Sequence, residues 1–175
     1  MTAEGIELRA PVDADAAAVA AAVQRSLDEL VPWMPWASDA YGETESLAWI
    51  RGEFGEAHRF VIVEEASGEI VGSCGLNQMD ELNRSANLGY WVRSDHAGKG
   101  IATAATRLLA EFGLREVGCH RVVVVMSTEN EASRRVAEKA GAHHEGIARG
   151  KLLLHGRFHD AHVFSFVDET ASAGG

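Results

Sequence analysis

Gly89-Tyr90-Trp91-Val92-Arg93-Ser94-Asp95-His96-Ala97-Gly98-Lys99-Gly100-Ile101-Ala102-Thr103 is the stretch that decides the fold. It begins as an extended run, passes through a glycine-rich turn and enters a segment of helical period. Over residues 101–117 that period offers Ala105, Leu108, Leu109, Phe112 and Leu114 for burial. A strand ending in such a turn hands the chain directly to a helix, whose first turn carries backbone N–H groups without intrahelical partners. The helix dipole favours an anion there, and glycine lets the backbone approach one with no Cβ in the way. Taken alone, Gly-x-Gly before a helix is equally a plain strand-to-helix turn. Two other phosphate signatures are missing: Gly-x-x-x-x-Gly-Lys-Ser/Thr, and Gly-x-Gly-x-x-Gly after the first strand. The turn follows the fourth expected strand, the wrong place for a nucleotide-binding βαβ unit.

Toward the N-terminus, the strand at 87–92 is reached through the polar turn 80–85 from a strand at 70–76. That strand pairs with 60–65 across Ser67-Gly68-Glu69, a hairpin signal. Residues 44–56 read as a helix with Leu47, Ile50 and Phe54 on one side. Residues 16–31 read as another, with Val19, Val23, Leu27 and Leu30 at helical spacing behind Asp13 and Asp15. Val31-Pro32-Trp33-Met34-Pro35-Trp36 cannot extend that helix, because proline removes a donor and restricts its predecessor. Its two tryptophans fit a core plug or a substrate wall equally well. Residues 5–10 form a first strand.

Toward the C-terminus, 120–126 is a β-branched run expected to be buried on both faces. Residues 129–140 form an amphipathic helix closed by Gly141. Segments 148–154 and 158–167 make a hairpin around His155-Gly156-Arg157, and 171–175 is a frayed tail. The order β-α-α-β-β-β-α-β-α-β-β predicts an α/β protein, a mixed sheet flanked by helices, as one domain over residues 1–170.

A chain of 175 residues, 46% hydrophobic and 24% charged, is long enough for one real core and does not read as disordered. No apolar run approaches the roughly 20 residues of a membrane-spanning helix. Met-Thr-Ala-Glu-Gly lacks the basic start of a secretory signal, so a soluble cytoplasmic protein is expected. The net charge of −10 argues against nucleic acid or an anionic membrane as partner, and suits a cationic substrate such as an amine. Cys74 and Cys119 have no redox or metal-ligand spacing and read as buried thiols. His120, His143, His144, His155, His159 and His162 cluster late without helical ligand spacing, and no metal is expected.

Gly98-Lys99-Gly100-Ile101-Ala102-Thr103 resembles the pyrophosphate loop of the GNAT superfamily of N-acetyltransferases. In its pattern Arg/Gln-x-x-Gly-x-Gly/Ala, Gly100 and Ala102 fill the last two fixed positions. Ala97 falls on the first, which removes a side chain and leaves the backbone cradle. Asn130-Glu131-Ala132-Ser133 and Glu138-Lys139-Ala140-Gly141 match the second motif of that superfamily. Trp33-Met34-Pro35-Trp36, Gly89-Tyr90-Trp91, Asn130-x-x-Ser133 and Gly156-Arg157-Phe158-His159-Asp160 resemble the RimJ/RimL-type branch, which includes ribosomal-protein N-terminal acetyltransferases. The resemblance implies a central mixed, mostly antiparallel sheet, acetyl-CoA as donor, and direct attack by an amine in a ternary complex. A homodimer is a family-level expectation.

It also implies roles. Backbone N–H groups at Trp91 and Val92 would serve the thioester carbonyl and pantetheine, provided the strand splays there. Ala97, Gly98, Lys99, Gly100, Ile101, Ala102 and Thr103 would hold the pyrophosphate, with Lys99 adding charge or remaining solvated. Asn130 is a helix cap, a pantetheine ligand, or both. Many relatives place a thiolate-protonating tyrosine seven residues after this asparagine, where this chain has Ala137. Ser133 stands in as proton donor or thiol-positioning hydroxyl, or is a surface serine. Trp33, Trp36, His159 and Asp160 would border the acceptor cleft. The base is unassigned: relatives often carry glutamate where this chain has Asn87, and Asp80, Glu81, Glu145, His96 and Asp160 are open candidates. An α-amine of pKa about 7.7–8.0 needs less help than a lysine near 10.4, so the missing base favours an N-terminal acceptor or a water relay. Three readings remain: a protein N-terminal acetyltransferase, a small-molecule acetyltransferase acting on a polyamine, amino acid or antibiotic, and a non-catalytic CoA-binding module.

Overall fold

The computed structural model describes residues 1–169, so the tail expected at 171–175 lies outside the described residues. In chain order the elements are β1 (Thr2–Ala3), β2 (Ile6–Arg9), α1 (Ala16–Gln24), α2 (Leu27–Leu30), α3 (Glu43–Ile50), β3 (His58–Glu64), β4 (Ile70–Asp80) and β5 (Ser85–Val92). They continue as α4 (Ile101–Arg115), β6 (Arg121–Ser127), α5 (Glu131–Ala140), β7 (His143–Leu154) and β8 (Arg157–Val167). The strands form one eight-stranded sheet in the order β1-β2-β3-β4-β5-β6-β8-β7. Every neighbouring pair is antiparallel except β5 and β6, which run parallel because α4 carries the chain back across the sheet between them.

The side-chain alternation of β5 explains the two cores. Ala86, Leu88, Tyr90 and Val92 turn to the face covered by α4, where Leu76, Leu109, Val122 and Phe164 complete the larger core. Trp91 turns the other way, into a second core with Val19 and Val23 of α1 and Tyr41. The strand that carries the glycine-rich turn is therefore gripped on both faces. Cys74 and Cys119 are buried and unpaired.

Several boundaries differ from expectation for local reasons. The helix expected over 16–31 breaks after Gln24. There Ser26 Oγ donates to Ala22 O at 3.1 Å and accepts from Ser94 N–H at 3.0 Å, diverting the chain toward the loop after β5. The helix expected over 44–56 stops at Ile50, since Gly52 and Gly55 take φ of 81° and 84°. The run expected to be buried on both faces alternates instead: Val122, Val124 and Met126 are buried, Val123 and Val125 only half. One face meets α4, whereas α1 packs chiefly on α3 and β4. β7 starts at His143, earlier than its pattern suggests, because register shifts at His144/Gly146 and Ala148/Leu152 scramble the alternation.

Candidate active site

Strands β5 and β6 pair only from Ser85↔Arg121 to Asn87↔Val123. Beyond that point β6 stays with β8 as far as Ser127↔Ala161, and β5 stays with β4 as far as Val92↔Gly72. The edge of β5 facing β6 is thus open toward its C-terminal end. Arg93 N–H donates to Val71 O at 2.8 Å. The two-residue alternation of an antiparallel ladder then turns Trp91 N–H toward β4 and leaves Tyr90 and Val92 N–H aimed at the open edge. Gly72 makes this close pairing feasible, because a Cβ there would lie 2.3 Å from Trp91 O.

The turn after β5 is pinned by a buried guanidinium. Arg93 bonds Asp95 through Nε at 2.7 Å and Nη2 at 2.9 Å, and Glu69 through Nη1 at 3.1 Å. Asp95 also meets His96 Nδ1 at 2.9 Å, and Arg93 first, then His96, holds its carboxyl far below the usual range. Beyond this anchor Gly98 and Gly100 take φ of 77° and 87°, and Gly100 caps α4 without any side chain. The N–H groups of residues 98–103 have no acceptor among the described residues; the next, Ala104 N–H, bonds Gly100 O. Ala97, Gly98, Lys99 and Gly100 are exposed, while Ile101 and Thr103 are buried and Ala102 half-buried, which seats the helix. The result is a backbone concavity of free donors at a helix N-terminus, suited to a diphosphate.

Asn130 caps α5: its Oδ1 accepts Ser133 N–H at 3.0 Å. Ser133 Oγ in turn lies 2.9 Å from Tyr90 Oη, so a hydroxyl pair links α5 to the open-edged strand. Burial pushes the Tyr90 phenol up to about 12, outweighing the Ser133 contact, and the ring stays protonated near neutrality. Ala137 is buried against the larger core.

On the opposite face of β5 lies a cavity of about 470 Å³. Trp36, Tyr41, Trp49 and Trp91 wall it, Ser73, Asn77 and Gly89 come from the sheet, and Glu45 and Glu56 supply its carboxylates. It reaches Tyr90 and Trp91, so cavity and open edge meet at the end of β5. Of the expected cleft residues, Trp36 is on this wall and Trp33, His159 and Asp160 are not. His159 Nδ1 sits 3.4 Å from Ser127 Oγ, and Asp160 Oδ1 accepts Gly150 N–H at 2.8 Å, bracing the β7–β8 hairpin. The hairpin turn still reaches the proline-rich loop, since His155 Nε2 lies 2.7 Å from Val31 O.

None of the five open candidates for the base lines the cavity. Asp80 is engaged by Asn83, His96 by Asp95, and Asp160 by the hairpin. Glu81 is exposed. Glu145 is paired with Arg121, which with Ser165 holds its carboxyl at about 2. Asn87 Nδ2 donates to Asn77 Oδ1 at 2.8 Å, placing that amide pair at the cavity's sheet side. Glu45, Glu56, Tyr41 and Trp49 escape sequence reasoning because they come from α3 and its flanks, which carry no motif. Among the described residues no group of three or more His, Cys, Asp or Glu could hold a metal ion, and no helix is long and apolar enough to cross a membrane.

A helix N-terminus and a splayed strand edge that meet a cavity define a class, and the comparisons agree. The acetyltransferase (GNAT) domain family matches residues 6–143. The chain belongs to the GNAT family of N-acetyltransferases. It is 31% identical over 169 residues to YdaF of Bacillus subtilis (strain 168), named as a candidate ribosomal N-acetyltransferase, across 94% of this chain and 92% of that one. The structure of Mycobacterium smegmatis RimJ in complex with CoA-disulfide superposes with a TM-score of 0.84 at 28% identity, covering 96% of this chain and 84% of RimJ. The spermidine N(1)-acetyltransferase of Escherichia coli (strain K12) is 26% identical over 103 residues, covering 59% of this chain and 54% of that enzyme.

Proposed function

We propose that this enzyme transfers acetyl from acetyl-CoA to the α-amine of a protein N-terminus, by direct attack in a ternary complex, in the cytoplasm. The observation that carries the reading is the meeting of the open β5 edge, the donor cradle at residues 98–103 and the separate cavity around one strand end. Acetyl-CoA supplies the acetyl group as a thioester. The free N–H groups of residues 98–103 bind its diphosphate, with Lys99 at their edge. Val92 N–H polarises the thioester carbonyl, and Tyr90 N–H, rather than that of Trp91, is the second open donor. Asn130 orients the pantetheine arm; as the C–N bond forms and the C–S bond breaks, water takes the proton lost by the amine, and Ser133 Oγ protonates the departing sulfur and regains a proton from water through Tyr90 Oη. The amine arrives from the cavity beside Trp36. The names of YdaF and RimJ support a ribosomal-protein terminus as acceptor.

The test is acetyl transfer to short peptides with free or blocked N-termini, run beside polyamines and aminoglycosides. Turnover confined to free N-termini is expected. Equal activity on N-blocked lysine peptides, or activity on small amines alone, overturns the terminus assignment. One observation favours that second reading, a small cationic amine: the cavity is lined by aromatic rings and two carboxylates, and a spermidine acetyltransferase is among the relatives.

A further inference from the structure

We infer that Ser26 is a positioning residue that straps the loop walling the cavity to the glycine-rich turn after β5. Four hydrogen bonds run in sequence between the two. Ala97 N–H, where the turn begins, donates to Ser94 O at 3.1 Å, and Ser94 N–H donates to Ser26 Oγ at 3.0 Å. Leu30 N–H donates to Ser26 O at 2.9 Å, and Met34 N–H donates to Leu30 O at 2.8 Å. Met34 lines the cavity two residues before Trp36. Three of these bonds join backbone to backbone. The bond from Ser94 ends on a side chain, so there alone a substitution cuts the series.

Ser26 is buried, and its hydroxyl proton is committed to Ala22 O at 3.1 Å, which leaves an oxygen lone pair for Ser94 N–H. Ser94 Oγ closes a second link by donating to Arg25 O at 3.1 Å. The turn side of the strap is firm, since the neighbouring Arg93 is fixed to Asp95 and Glu69. The wall side is not. α2 is a single turn, and neither helix nor strand follows it before α3. So short an element does not hold its own place and opens easily unless its ends are tied. Quieting the turn therefore quiets α2 and the loop behind it, and the wall sets as the turn fills.

That acetyl-CoA fills the turn rests on the reading above; the test uses no acceptor. Amide hydrogen exchange is followed with and without acetyl-CoA. In the wild-type protein the coenzyme is expected to slow residues 98–103 directly, and the Leu30 and Met34 amides by at least about threefold. Ser26→Ala removes the acceptor of the strap. Ser94→Pro removes its donor from the other end, and proline suits the site because Arg93 is extended at ψ of 134° and Ser94 opens a 3-10 turn. Both variants should keep the slowing at 98–103 and lose it at Leu30 and Met34. No slowing at 98–103 in the wild-type protein overturns the coenzyme reading, and this inference falls with it. Slowing there but not at Leu30 and Met34 overturns the strap alone. Slowing at Leu30 and Met34 that survives in either folded variant overturns the role of Ser26 and routes the coupling elsewhere, as through the Trp36–Trp91 ring contact at 6.3 Å.

Discussion

Tyr90 Oη lies 2.9 Å from Ser133 Oγ, joining the strand with the open edge to the helix capped by Asn130. Ser133 also receives its backbone fix from Asn130 Oδ1, so its hydroxyl is aimed by both partners. Ser133→Ala should lower kcat by about 100-fold, within the usual range for a positioned proton donor, with acetyl-CoA affinity little changed. Steady-state kinetics with calorimetric coenzyme binding checks this. A loss confined to coenzyme affinity would make Ser133 a binding residue.

Tyr90→Phe removes the phenol and leaves the serine with one fewer partner. A smaller kcat loss than in Ser133→Ala is expected, with a stability cost of about 1 kcal/mol. The double variant should be no slower than Ser133→Ala, because residues acting as one unit are not additive. Additive losses would mean the two hydroxyls work separately.

Gly100 has φ of 87°, and a Cβ built on it meets nothing within 4 Å. The fold has room for a side chain, but the left-handed backbone does not suit one, and neither does the diphosphate site proposed there. Gly100→Val should raise the acetyl-CoA Kd by at least about tenfold, since strain of about 1–2 kcal/mol and lost donor geometry act together. Calorimetry on the folded variant reads the result, and unchanged affinity would remove the phosphate cradle from residues 98–103.

Gly72 tests the strand edge from the other side. Its Cβ would sit 2.3 Å from Trp91 O and 3.0 Å from Val92 Cα, both backbone. Gly72→Ala must therefore push β5 away and re-aim Val92 N–H. A loss of about 1–3 kcal/mol in stability and a higher KM for acetyl-CoA are expected. Denaturant melts and kinetics measure them, and an unperturbed variant would show that β5 is not held as described.

The glycine-rich turn, α4 and α5 were legible because each carries its signal locally: Gly98 and Gly100 before a helical period, and Asn130 before an amphipathic one. The splay at Asn87↔Val123 was not, since divergence of two strands leaves no trace in either strand's alternation. Trp36 could be named as a wall and Trp33 set beside it on equal terms, because the loop's proline punctuation fixes no side-chain direction. Glu45 and Glu56 had no signal at all. Glu45 comes near Asn77 and Gly89 through the packing of α3 on α1, and Glu56 because the chain entering β3 runs beside β4, where Ala57 N–H donates to Leu76 O at 3.0 Å.

His162 gives the fold a pH dependence of its own. Its ring is buried on β8, with Nδ1 3.0 Å from His144 Nε2, and His144 packs 4.7 Å from Phe164 between ring centroids. Burial first, then the charges of His144 and Arg134, lower its pKa from 6.5, against an opposite pull from Glu131 and Glu138 on α5. With the folded value below the unfolded one, the unfolded chain binds more protons in the window between them. Stability is therefore full above about 6.5 and declines as pH falls through the lowered folded value. The depressed carboxyl of Glu145 contributes its loss only in more acid solution, as pH falls from its ordinary value of 4.5 toward about 2. Melting temperatures at pH 7.5 and 5.5 separate the two. The wild-type protein should lose stability between these points, and His162→Gln should lose less. An identical decline in the variant would place the pH sensitivity elsewhere.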